Sequence, residues 1–458
     1  MRYILTFLVG TFFVFGQNFK QDSIQIKQIF DYTLTKGEAY EWLRDLTQNI
    51  GHRLSGSPQA EKAVQWGEEL MGQQNFDKVW LQSVKVPHWV RGEKEMAYFI
   101  IKNKKFPVEI LALGGSVATP EKGLKGEVIE VKSIDHLKEL GEKVKGKIVF
   151  INQKMDETLI NTFHAYGGCS GMRFWGAHVA GSLEAKAVIT RSLTTQIDDY
   201  PHTGVMTYGD LKEEQKVPTA AISTKGAEEL SKALKDNKEV QFYFKQNCQT
   251  LPDVQSFNVI GEIKGSQYPE KIITIGGHLD SWDVGEGAHD DGTGVVHSLQ
   301  VLKTFKALNI QPKHTIRVVF FMNEENGNRG GKKYAKEAKE KGEQHIIALE
   351  SDAGGHTPRG FSIDTKNNTI VERFKSWRKL LEPYGVHQFD KGYPGVDISP
   401  LKNEFEIILN GFKPDSQRYF DYHHTVLDTF DKVNERELEL GAAAMTSLIY
   451  LYDQYFED

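Results

Sequence analysis

Five short segments in the C-terminal half of this 458-residue sequence are rich in acidic and histidine side chains. The segments are GGHLDSWD (276–283), GAHDDGTG (287–294), MNEENG (322–327), ESDAG (350–354) and DYHHTVLDT (421–429). Carboxylate and imidazole groups are the side chains that bind divalent metals or transfer protons. The residues that could do this chemistry are His278, Asp280, Asp290, Asp291, Glu324, Glu325, Asp352, His423, His424 and Asp428.

Each of these residues, taken alone, has an ordinary structural explanation. A histidine after a strand often only forms hydrogen bonds, and an aspartate that opens a helix is usually its N-cap. An acidic pair such as Glu324 and Glu325 can begin a solvated helix. Together they are harder to explain in this way, because concentrated carboxylates repel one another unless cations lie among them. The sequence therefore predicts a metal site.

The donor types narrow the choice of metal. Two imidazoles, several carboxylates and no thiolate suit zinc or another divalent first-row ion. Five or more ligands favour two ions, which a bridging carboxylate would hold about 3.5–4 Å apart. We expect Asp280 to orient the His278 imidazole through its other ring nitrogen. An acidic residue left over beside the ions would serve as a general base.

Rival chemistries lack their signatures in this sequence. We find no GxSxG, HExxH or Walker motif, no GxGxxG that opens a helix after a strand, and no Cys-X-X-Cys pair. These absences argue against a serine hydrolase, a helix-borne zinc site and a nucleotide-binding enzyme.

Four apolar runs, separated by helical segments, would position the metal-site residues. They are KIITIGG (271–277), TIRVVFFM (315–322), HIIALES (345–351) and FEIILN (405–410). Such runs are typical of buried strands in a mostly parallel sheet. Acidic or imidazole groups end three of them, and open α/β sheets bind ligands at the carboxyl ends of their strands. We therefore expect the site at that edge of the sheet.

The N-terminal half has a different pattern. We predict amphipathic helices over residues 38–50 and 58–76, the second capped by Ser57, and strand-like alternation over residues 78–103. Residues 111–245 contain short strands, Gly-rich turns and one helix near 177–183, which indicates a compact β-rich insertion. The predicted division is a catalytic domain in two parts, 17–110 and 251–458, with an inserted domain at 111–250.

The composition is that of an ordinary globular protein. Hydrophobic residues make up 39% and charged residues 26% of the chain, and the net charge is −6. A chain of this size can bury a large core, which excludes a disordered, collagen-like or multi-span membrane protein. There is no long basic run, so nucleic-acid binding is not expected.

Residues 1–16, MRYILTFLVGTFFVFG, combine a basic residue with an apolar run too short to span a bilayer comfortably. Gly16 supplies a small residue for cleavage, so we predict a signal peptide rather than an uncleaved anchor. The mature protein would be secreted or periplasmic, with no stable membrane anchor. Cys169 and Cys248 could pair in such a compartment, although two free buried cysteines fit the sequence equally well.

The metal-site segments strongly resemble those of the co-catalytic zinc peptidases, a family that includes bacterial leucyl aminopeptidases and glutamate carboxypeptidase II. The likeness lies in GGHLDSWDVGEGAHDDGTG, NEEN, ESDAG and HHTVLDT. It extends through GHRLSGSPQAEKA, VPHWVRGE, YPHTG, VPTAAIS and FNVIGEIKGSQYPE to nearly the whole mature chain. The resemblance implies an α/β zinc exopeptidase fold, with a mostly parallel mixed sheet between helices. It also implies that the insertion is a protease-associated-like domain, which caps the catalytic groove in relatives.

The resemblance implies two Zn²⁺ ions per chain and a role for each motif residue. His278 and Asp352 would bind one ion, Glu325 and His424 the other, and Asp290 would bridge them. Glu324 would be the general base for a metal-bridging hydroxide, and the Asp290-Asp291 peptide bond would be cis. The supporting residues would be Asp280, Asp291 and Asp428. His423 and Asp397 would be candidate substrate contacts, with a structural role for His423 equally open.

The resemblance also implies an activity, that of a homodimeric dipeptidase or short-peptide hydrolase acting on unblocked termini. The segments NGNRGG (326–331), GGCSGMRFWGAHVAGS (167–182) and GYPGVDISPL (392–401) depart from the family pattern, which leaves the substrate preference open. One alternative is an aminopeptidase on longer peptides. Another is a non-catalytic binding ectodomain on the same fold, although such proteins typically lack some of the metal ligands.

Overall fold

A computed structural model describes residues 7–456 of the chain, with side chains from Phe19 onward. The first six residues of the expected signal peptide, 1–16, lie outside the described residues, and from Phe7 the backbone belongs to a helix that ends at Lys36. No helix in the described part of the chain is both long enough and apolar enough to cross a membrane.

Sixteen strands form two sheets within residues 7–456. In chain order they are β1 (Lys78–Val90), β2 (Met96–Ile101), β3 (Lys104–Val108), β4 (Ile110–Ala112), β5 (Leu124–Val131), β6 (Ile148–Ile151), β7 (Ala187–Arg191), β8 (Thr219–Ile222), β9 (Gln241–Lys245), β10 (Gln249–Ile263), β11 (Tyr268–His278), β12 (His314–Phe321), β13 (Gln344–Glu350), β14 (Pro358–Asp364), β15 (Gln388–Lys391) and β16 (Ile408–Pro414).

The helices begin and end at defined residues. They are α1 (Phe7–Lys36), α2 (Ala39–Asp45), α3 (Pro58–Gly72), α4 (Ile134–Leu140), α5 (Thr162–Gly167), α6 (Ser170–Ser182), α7 (Thr224–Asp236), α8 (Thr293–Ala307), α9 (Arg329–Glu340), α10 (Asn368–Ser376), α11 (Arg378–Leu381), α12 (Leu401–Glu404), α13 (Tyr419–Tyr422) and α14 (Glu435–Tyr455). The Ser57 hydroxyl caps α3 by accepting the Ala60 N–H at 3.1 Å, as expected. That helix ends before the predicted residue 76, because Asn75 turns the backbone into the left-handed region at φ 54°.

The first sheet carries the predicted metal-site segments. Its strand order is β1-β10-β12-β11-β13-β16-β14-β15. The four apolar runs form adjacent strands, β12, β11, β13 and β16, and all three pairings between these neighbours are parallel. The remaining pairings include antiparallel ones, so the sheet is mixed. The expected mostly parallel arrangement holds at the centre, where the site lies.

Helices cover both faces of this sheet. Because successive strand residues point to opposite faces, Val318 and Phe320 of β12 pack in the large core under α8 and α14. Val319 and Phe321 pack on the other face, in a smaller core with Tyr334 of α9. The four apolar side chains are fully buried. This two-sided burial explains why the run is apolar throughout rather than alternating.

The second sheet belongs to the region predicted as an insertion, but it starts earlier. Its order is β3-β2-β9-β5-β6-β7-β8-β4, so β2 and β3 pair within it, before the predicted boundary at residue 111. Four helices, α4 to α7, accompany it where the sequence analysis expected one. Alternating strands look alike whichever sheet they join, which is why the boundary could not be found from β2 and β3.

The two cysteines are both buried and unpaired. Cys169 packs in a core of the second sheet, whereas Cys248 packs beside Trp89 and Trp282. Burial raises the pKa of each thiol to about 11. Of the two arrangements that the sequence left open, the protein has the one with free thiols.

Candidate metal centre

The carboxyl ends of three parallel strands and two loops bring the predicted residues together. His278 is the last residue of β11, Glu324 and Glu325 follow β12, and Asp352 follows β13. Asp290 comes from the turn that precedes α8, and His424 from the loop after α13. Because β12, β11 and β13 are parallel neighbours, their ends meet at one edge of the sheet.

The donor atoms form two groups that share Asp290. In the first, His278 Nε2 is 3.1 Å from Asp290 Oδ1 and 3.6 Å from Asp352 Oδ1. In the second, His424 Nε2 is 3.1 Å from Asp290 Oδ2 and 3.2 Å from Glu325 Oε2. Ligands at tetrahedral zinc lie 2.0–2.1 Å from the ion, so their atoms are about 3.3 Å apart. These spacings, with one Asp290 oxygen in each group, fit a pair of bridged ions.

The pKa shifts of the cluster also favour the binding of cations. Burial raises the pKa of Glu325 to about 7, helped by the negative charge of Asp290. Although burial opposes protonation of the His278 imidazole, hydrogen bonding to Asp290 and Asp352 raises its pKa well above the usual value. The His424 pKa rises to about 9 despite burial, because Glu325 and Asp290 face it. Without metal, protons must offset the carboxylate charge, and divalent ions at the same positions would replace them.

Backbone and carboxylate groups behind the ligands hold them in place. Asp291 accepts the His278 N–H at 3.0 Å. The Asp428 carboxylate accepts the N–H groups of both His289 and Asp290, at 2.7 and 3.1 Å. The Asp290-Asp291 bond is cis, as the resemblance implied. Asp291 and Asp428 therefore hold the backbone of His278 and Asp290.

Asp280 supports the site differently from the expectation. His278 Nδ1 donates to the backbone carbonyl of Asp280 at 2.8 Å, whereas the nearer carboxylate oxygen is 3.9 Å away. That oxygen, Oδ1, instead accepts the N–H groups of Asn323 and Glu324, at 2.7 and 3.1 Å. The expected hydrogen bond from the imidazole to the Asp280 carboxylate is thus replaced by a hydrogen bond to the Asp280 carbonyl. The carboxylate instead accepts the N–H groups of the turn after β12.

The two candidate substrate contacts lie in different surroundings. His423 stacks on His424 with ring centroids 3.5 Å apart, and its Nε2 is 3.6 Å from Asp290 Oδ2. It lines the cavity above the cluster. Asp397 is fully buried, and neither of its carboxylate oxygens has a hydrogen-bond partner among the described residues. It does not line that cavity, so a direct substrate contact by Asp397 has no support in this geometry.

Contacts that the sequence analysis did not single out also reach the cluster. The carbonyl of Thr203, from the second-sheet region, lies 3.1 Å from His424 Nδ1. Arg53 is fully buried and donates to the carbonyls of Leu279, Glu286 and Gly287, which lie in the loop between two ligands. Both residues occur in segments that carry the family resemblance, YPHTG and GHRLSGSPQAEKA. The family resemblance of these two segments is therefore the signal that could have identified both residues.

The cluster opens into a cavity of about 1260 Å³ between the two sheets. The predicted site residues that line this cavity are Asp290, Glu324, Glu325, Asp352, His423 and His424. Phe163 and Tyr166 of α5 and Arg173 of α6 form the wall contributed by the second-sheet region. A cavity of this size admits a short peptide and brings it against both the acidic cluster and the second-sheet region.

Residues 258–449 match the family model described as peptidase family M28. Over 422 residues the chain is 33% identical to carboxypeptidase Q from Bos taurus and 34% identical to carboxypeptidase Q from Homo sapiens. Each of these matches covers 92% of this chain and 86% of the relative.

A crystal structure of a peptidase M28 precursor from Shewanella amazonensis SB2B is similar with a TM-score of 0.89 and 33% identity, covering 95% of this chain and 97% of that one. The zinc aminopeptidase BSAP from Bacillus subtilis matches with a TM-score of 0.64 and 20% identity, over 92% of this chain and 98% of that one. At that identity the likeness concerns the fold alone. The mixed α/β fold expected from the sequence is thereby confirmed.

Proposed function

The chain belongs to peptidase family M28, and on this premise we propose that it is a zinc-dependent exopeptidase that hydrolyses unblocked dipeptides or short peptides. One observation carries the proposal. The proposed ligand atoms form two groups, and within each group the atoms lie 3.1–3.6 Å apart. The two groups share the carboxylate of Asp290, which lines a peptide-sized cavity.

The proposed ligand set follows the two groups. His278 and Asp352 would hold one zinc ion, Glu325 and His424 the other, and Asp290 would bridge them. The donor types, imidazole nitrogen and carboxylate oxygen, are those that zinc takes in catalytic sites. When bound, the two ions would polarise the scissile carbonyl and lower the pKa of the attacking water.

Glu324 is the proposed general base. It lines the same cavity as Asp290 and lies within electrostatic reach of that residue. Burial and the surrounding negative charges raise its pKa well above the usual value. A carboxylate at this position can take the proton of the attacking water and pass it to the leaving amine. Asp280 holds the Glu324 backbone N–H and so fixes the start of this side chain.

Two further parts of the proposal concern the setting of the enzyme. We propose that it acts outside the cytoplasm, on the strength of the leader-like residues 1–16, and that it forms a homodimer, as the family resemblance implies. The N-terminal sequence of the exported protein tests the first point. Light scattering of the purified protein tests the second, with twice the chain mass expected.

The activity is tested with one dipeptide in three forms: free, N-acetylated and C-amidated. The zinc-loaded mature protein should cleave the free form fastest and the blocked forms at least tenfold more slowly. Rapid cleavage of the amidated form would instead indicate an aminopeptidase on longer peptides. Cleavage of none of the forms by the zinc-loaded protein would contradict the proposal.

Glu324→Gln provides the matched control for chemistry. The amide has nearly the same shape but cannot accept the proton, so kcat should fall by about 10³-fold or more while two zinc ions per chain remain bound. Turnover close to that of the wild type would remove Glu324 from the role of base.

A further inference from the structure

The two halves of the candidate metal centre are held by different parts of the molecule. In the first half, His278 ends β11 and Asp352 follows β13, so both ligands belong to the first sheet. The His278 ring is fixed within the same sheet, since Nδ1 donates to the Asp280 carbonyl at 2.8 Å. Among the described residues, no hydrogen bond joins either ligand to the second-sheet region, residues 96–245.

The second half of the centre depends on the second-sheet region through His424. The Nε2 atom of this residue faces the oxygens of Asp290 and Glu325, at 3.1 and 3.2 Å. With a metal ion at Nε2, the ring proton lies on Nδ1, which donates to the Thr203 carbonyl at 3.1 Å. In return, the Thr203 N–H donates to the His424 carbonyl at 3.0 Å. Thr203 therefore holds His424 at two points, one on the ring and one on the backbone.

The backbone of His424 needs such a contact. Its φ is 62°, in the left-handed region that residues with a side chain rarely adopt. A residue in this conformation keeps it only where its surroundings hold it. Because the backbone conformation sets the direction of the imidazole, loss of the Thr203 contact would let the loop relax and turn the ring away from the other ligands.

Glu325, the other ligand of the second half, also contacts a group that packs on the second-sheet region. Its Oε1 accepts the Trp282 N–H at 3.2 Å. The Trp282 indole packs with Trp89 and Ala112 in one apolar cluster. A Cβ added at Gly114 would lie only 1.9 Å from this indole, so the ring lies directly on the backbone there. Since Ala112 and Gly114 belong to the second-sheet region, both ligands of this half are linked to it.

Thr203 is itself fixed through its hydroxyl. Thr203 is fully buried, and its Oγ1 donates to the Ala112 carbonyl at 2.8 Å. The same oxygen accepts from Arg91 Nη2 at 3.4 Å. Arg91 also donates to both carboxylate oxygens of Asp283, in the loop that follows β11. One hydroxyl group thus sets the position of the backbone groups that hold His424.

We propose that Thr203 is the positioning residue of His424, so that the second-sheet region sets the affinity for one of the two zinc ions and not for the other. The inference rests on the proposed function, because it presupposes the two bridged ions. Groups behind a ligating histidine typically change metal affinity by about 10- to 100-fold. By linkage, zinc in this half should in turn hold the second-sheet region against the His424 loop.

The test is a zinc titration against a chromophoric chelator in two backgrounds that each keep one half of the centre. His278→Ala leaves the His424 half, and His424→Ala leaves the His278 half. Thr203→Val removes the hydroxyl but keeps the shape. It should weaken zinc binding about tenfold in His278→Ala and less than twofold in His424→Ala. Thr203→Ser restores the hydroxyl and should bring Kd back to within threefold of the parent.

Thr190→Val is the matched control. Thr190 is buried on β7 of the same region, and its Oγ1 has no hydrogen-bond partner among the described residues. The same substitution there should leave zinc affinity unchanged in both backgrounds. If Thr203→Val fails to fold, Arg91→Lys takes its place. It keeps the charge beside Asp283 but loses the planar fork that also reaches Thr203, so it should weaken the same half.

Hydrogen exchange gives a second measurement, which needs neither turnover nor a change at Thr203. Zinc should slow amide exchange in peptides covering residues 198–206 by severalfold in His278→Ala. In His424→Ala, the same peptides should exchange equally fast with and without zinc.

Several outcomes would overturn the inference. They are equal weakening by Thr203→Val in both backgrounds, unchanged affinity in His278→Ala, the same loss in Thr190→Val, and equal protection of residues 198–206 in both backgrounds. In each case a wild type that binds two zinc ions and cleaves dipeptides leaves the proposed function intact. A wild type that binds no zinc would remove the proposed function, and the inference with it.

Discussion

At the scale of single residues, backbone groups hold most of the proposed ligands. They contact the ligand atoms that face away from the proposed metal positions. The carbonyls of Asp280 and Thr203 lie 2.8 and 3.1 Å from the outer ring nitrogens of His278 and His424. The Asp428 carboxylate holds the Asp290 N–H. Such contacts fix the tautomer and the direction of each ring before a metal arrives. The site is therefore preorganised by the loops rather than by side-chain pairs.

A first prediction separates the two roles of Asp280. Asp280→Ala keeps the carbonyl that holds His278 but removes the acceptor of two N–H groups, of which Asn323 is buried and Glu324 half-buried. Each hydrogen bond to a charged group contributes about 1.5–3 kcal/mol, and both of these bonds lie at the turn that carries Glu324. We expect kcat to fall about 100-fold while zinc content stays at two per chain.

The control for that prediction is Asp280→Asn. Its amide oxygen can still accept both N–H groups, so kcat should fall less than tenfold. Steady-state kinetics and metal analysis of the two variants make the comparison. Loss of zinc in Asp280→Ala alone would show that the carboxylate, and not the carbonyl, keeps His278 in its ligand position.

At the scale of elements, a buried acidic side chain of α14 forms a hydrogen bond to the start of α2. Glu439 of α14 is only 5% exposed and accepts the Tyr40 N–H at the start of α2 at 3.3 Å. Burial raises its pKa to about 7, while the N–H groups of Tyr40 and Ala39 oppose the rise. The folded protein therefore keeps this acid protonated at pH values where the unfolded chain, with a pKa near 4.5, has lost the proton.

This raised pKa predicts a loss of stability with rising pH. Between about pH 4.5 and 7 the folded state binds more protons than the unfolded state, so the free energy of unfolding falls as the pH rises and levels off above 7. Glu439→Gln is neutral and keeps an acceptor for Tyr40. Its stability relative to the wild type should therefore grow by about 2 kcal/mol between pH 5.5 and 8.5.

Urea unfolding at the two pH values measures this difference. The control is Glu68→Gln on α3, where the side chain is exposed and does not act on Glu439. That variant should shift stability equally at both pH values. A Glu439→Gln variant that tracks the wild type across the range would show that the acid is ionised in the folded protein.

The elements also show what the sequence can and cannot specify. The strands β11, β12 and β13 were predictable because burial on both faces demands unbroken apolar runs, and His278 and Asp352 follow from their ends. The sheet to which β2 belongs could not be predicted, because an alternating polar and apolar pattern does not indicate which strand it pairs with. The Thr203 contact could not be predicted either, since any residue type has a backbone carbonyl.

At the scale of the whole molecule, the second-sheet region contacts the candidate metal site. Phe163 and Tyr166 of the second-sheet region pack against Tyr419 and Phe420, with ring centroids 4.7–5.1 Å apart. Those two residues lie just before His423 and His424. The second-sheet region therefore both lines the cavity and supports the loop that carries His424, so its removal would damage the candidate site.

The size of the apolar core leads to a last prediction, on metal removal. The main core of the first sheet is built from apolar residues of its strands and of the helices that cover it. The protein should consequently stay folded in a chelator, without activity. Because zinc binds only the folded state, its removal should lower Tm by about 5–10 °C for two sites of high affinity.

Differential scanning calorimetry with and without chelator measures this shift, and activity should return when zinc is restored. The matched variant is Asp290→Asn, which weakens both sites through the one shared ligand, so chelator should move its Tm little. Unfolding of the wild type in chelator at 25 °C would show that the ions hold the two sheets together. In that case the apolar cores would be insufficient alone, and the aromatic contact at Tyr419 would depend on the metal-bound loop.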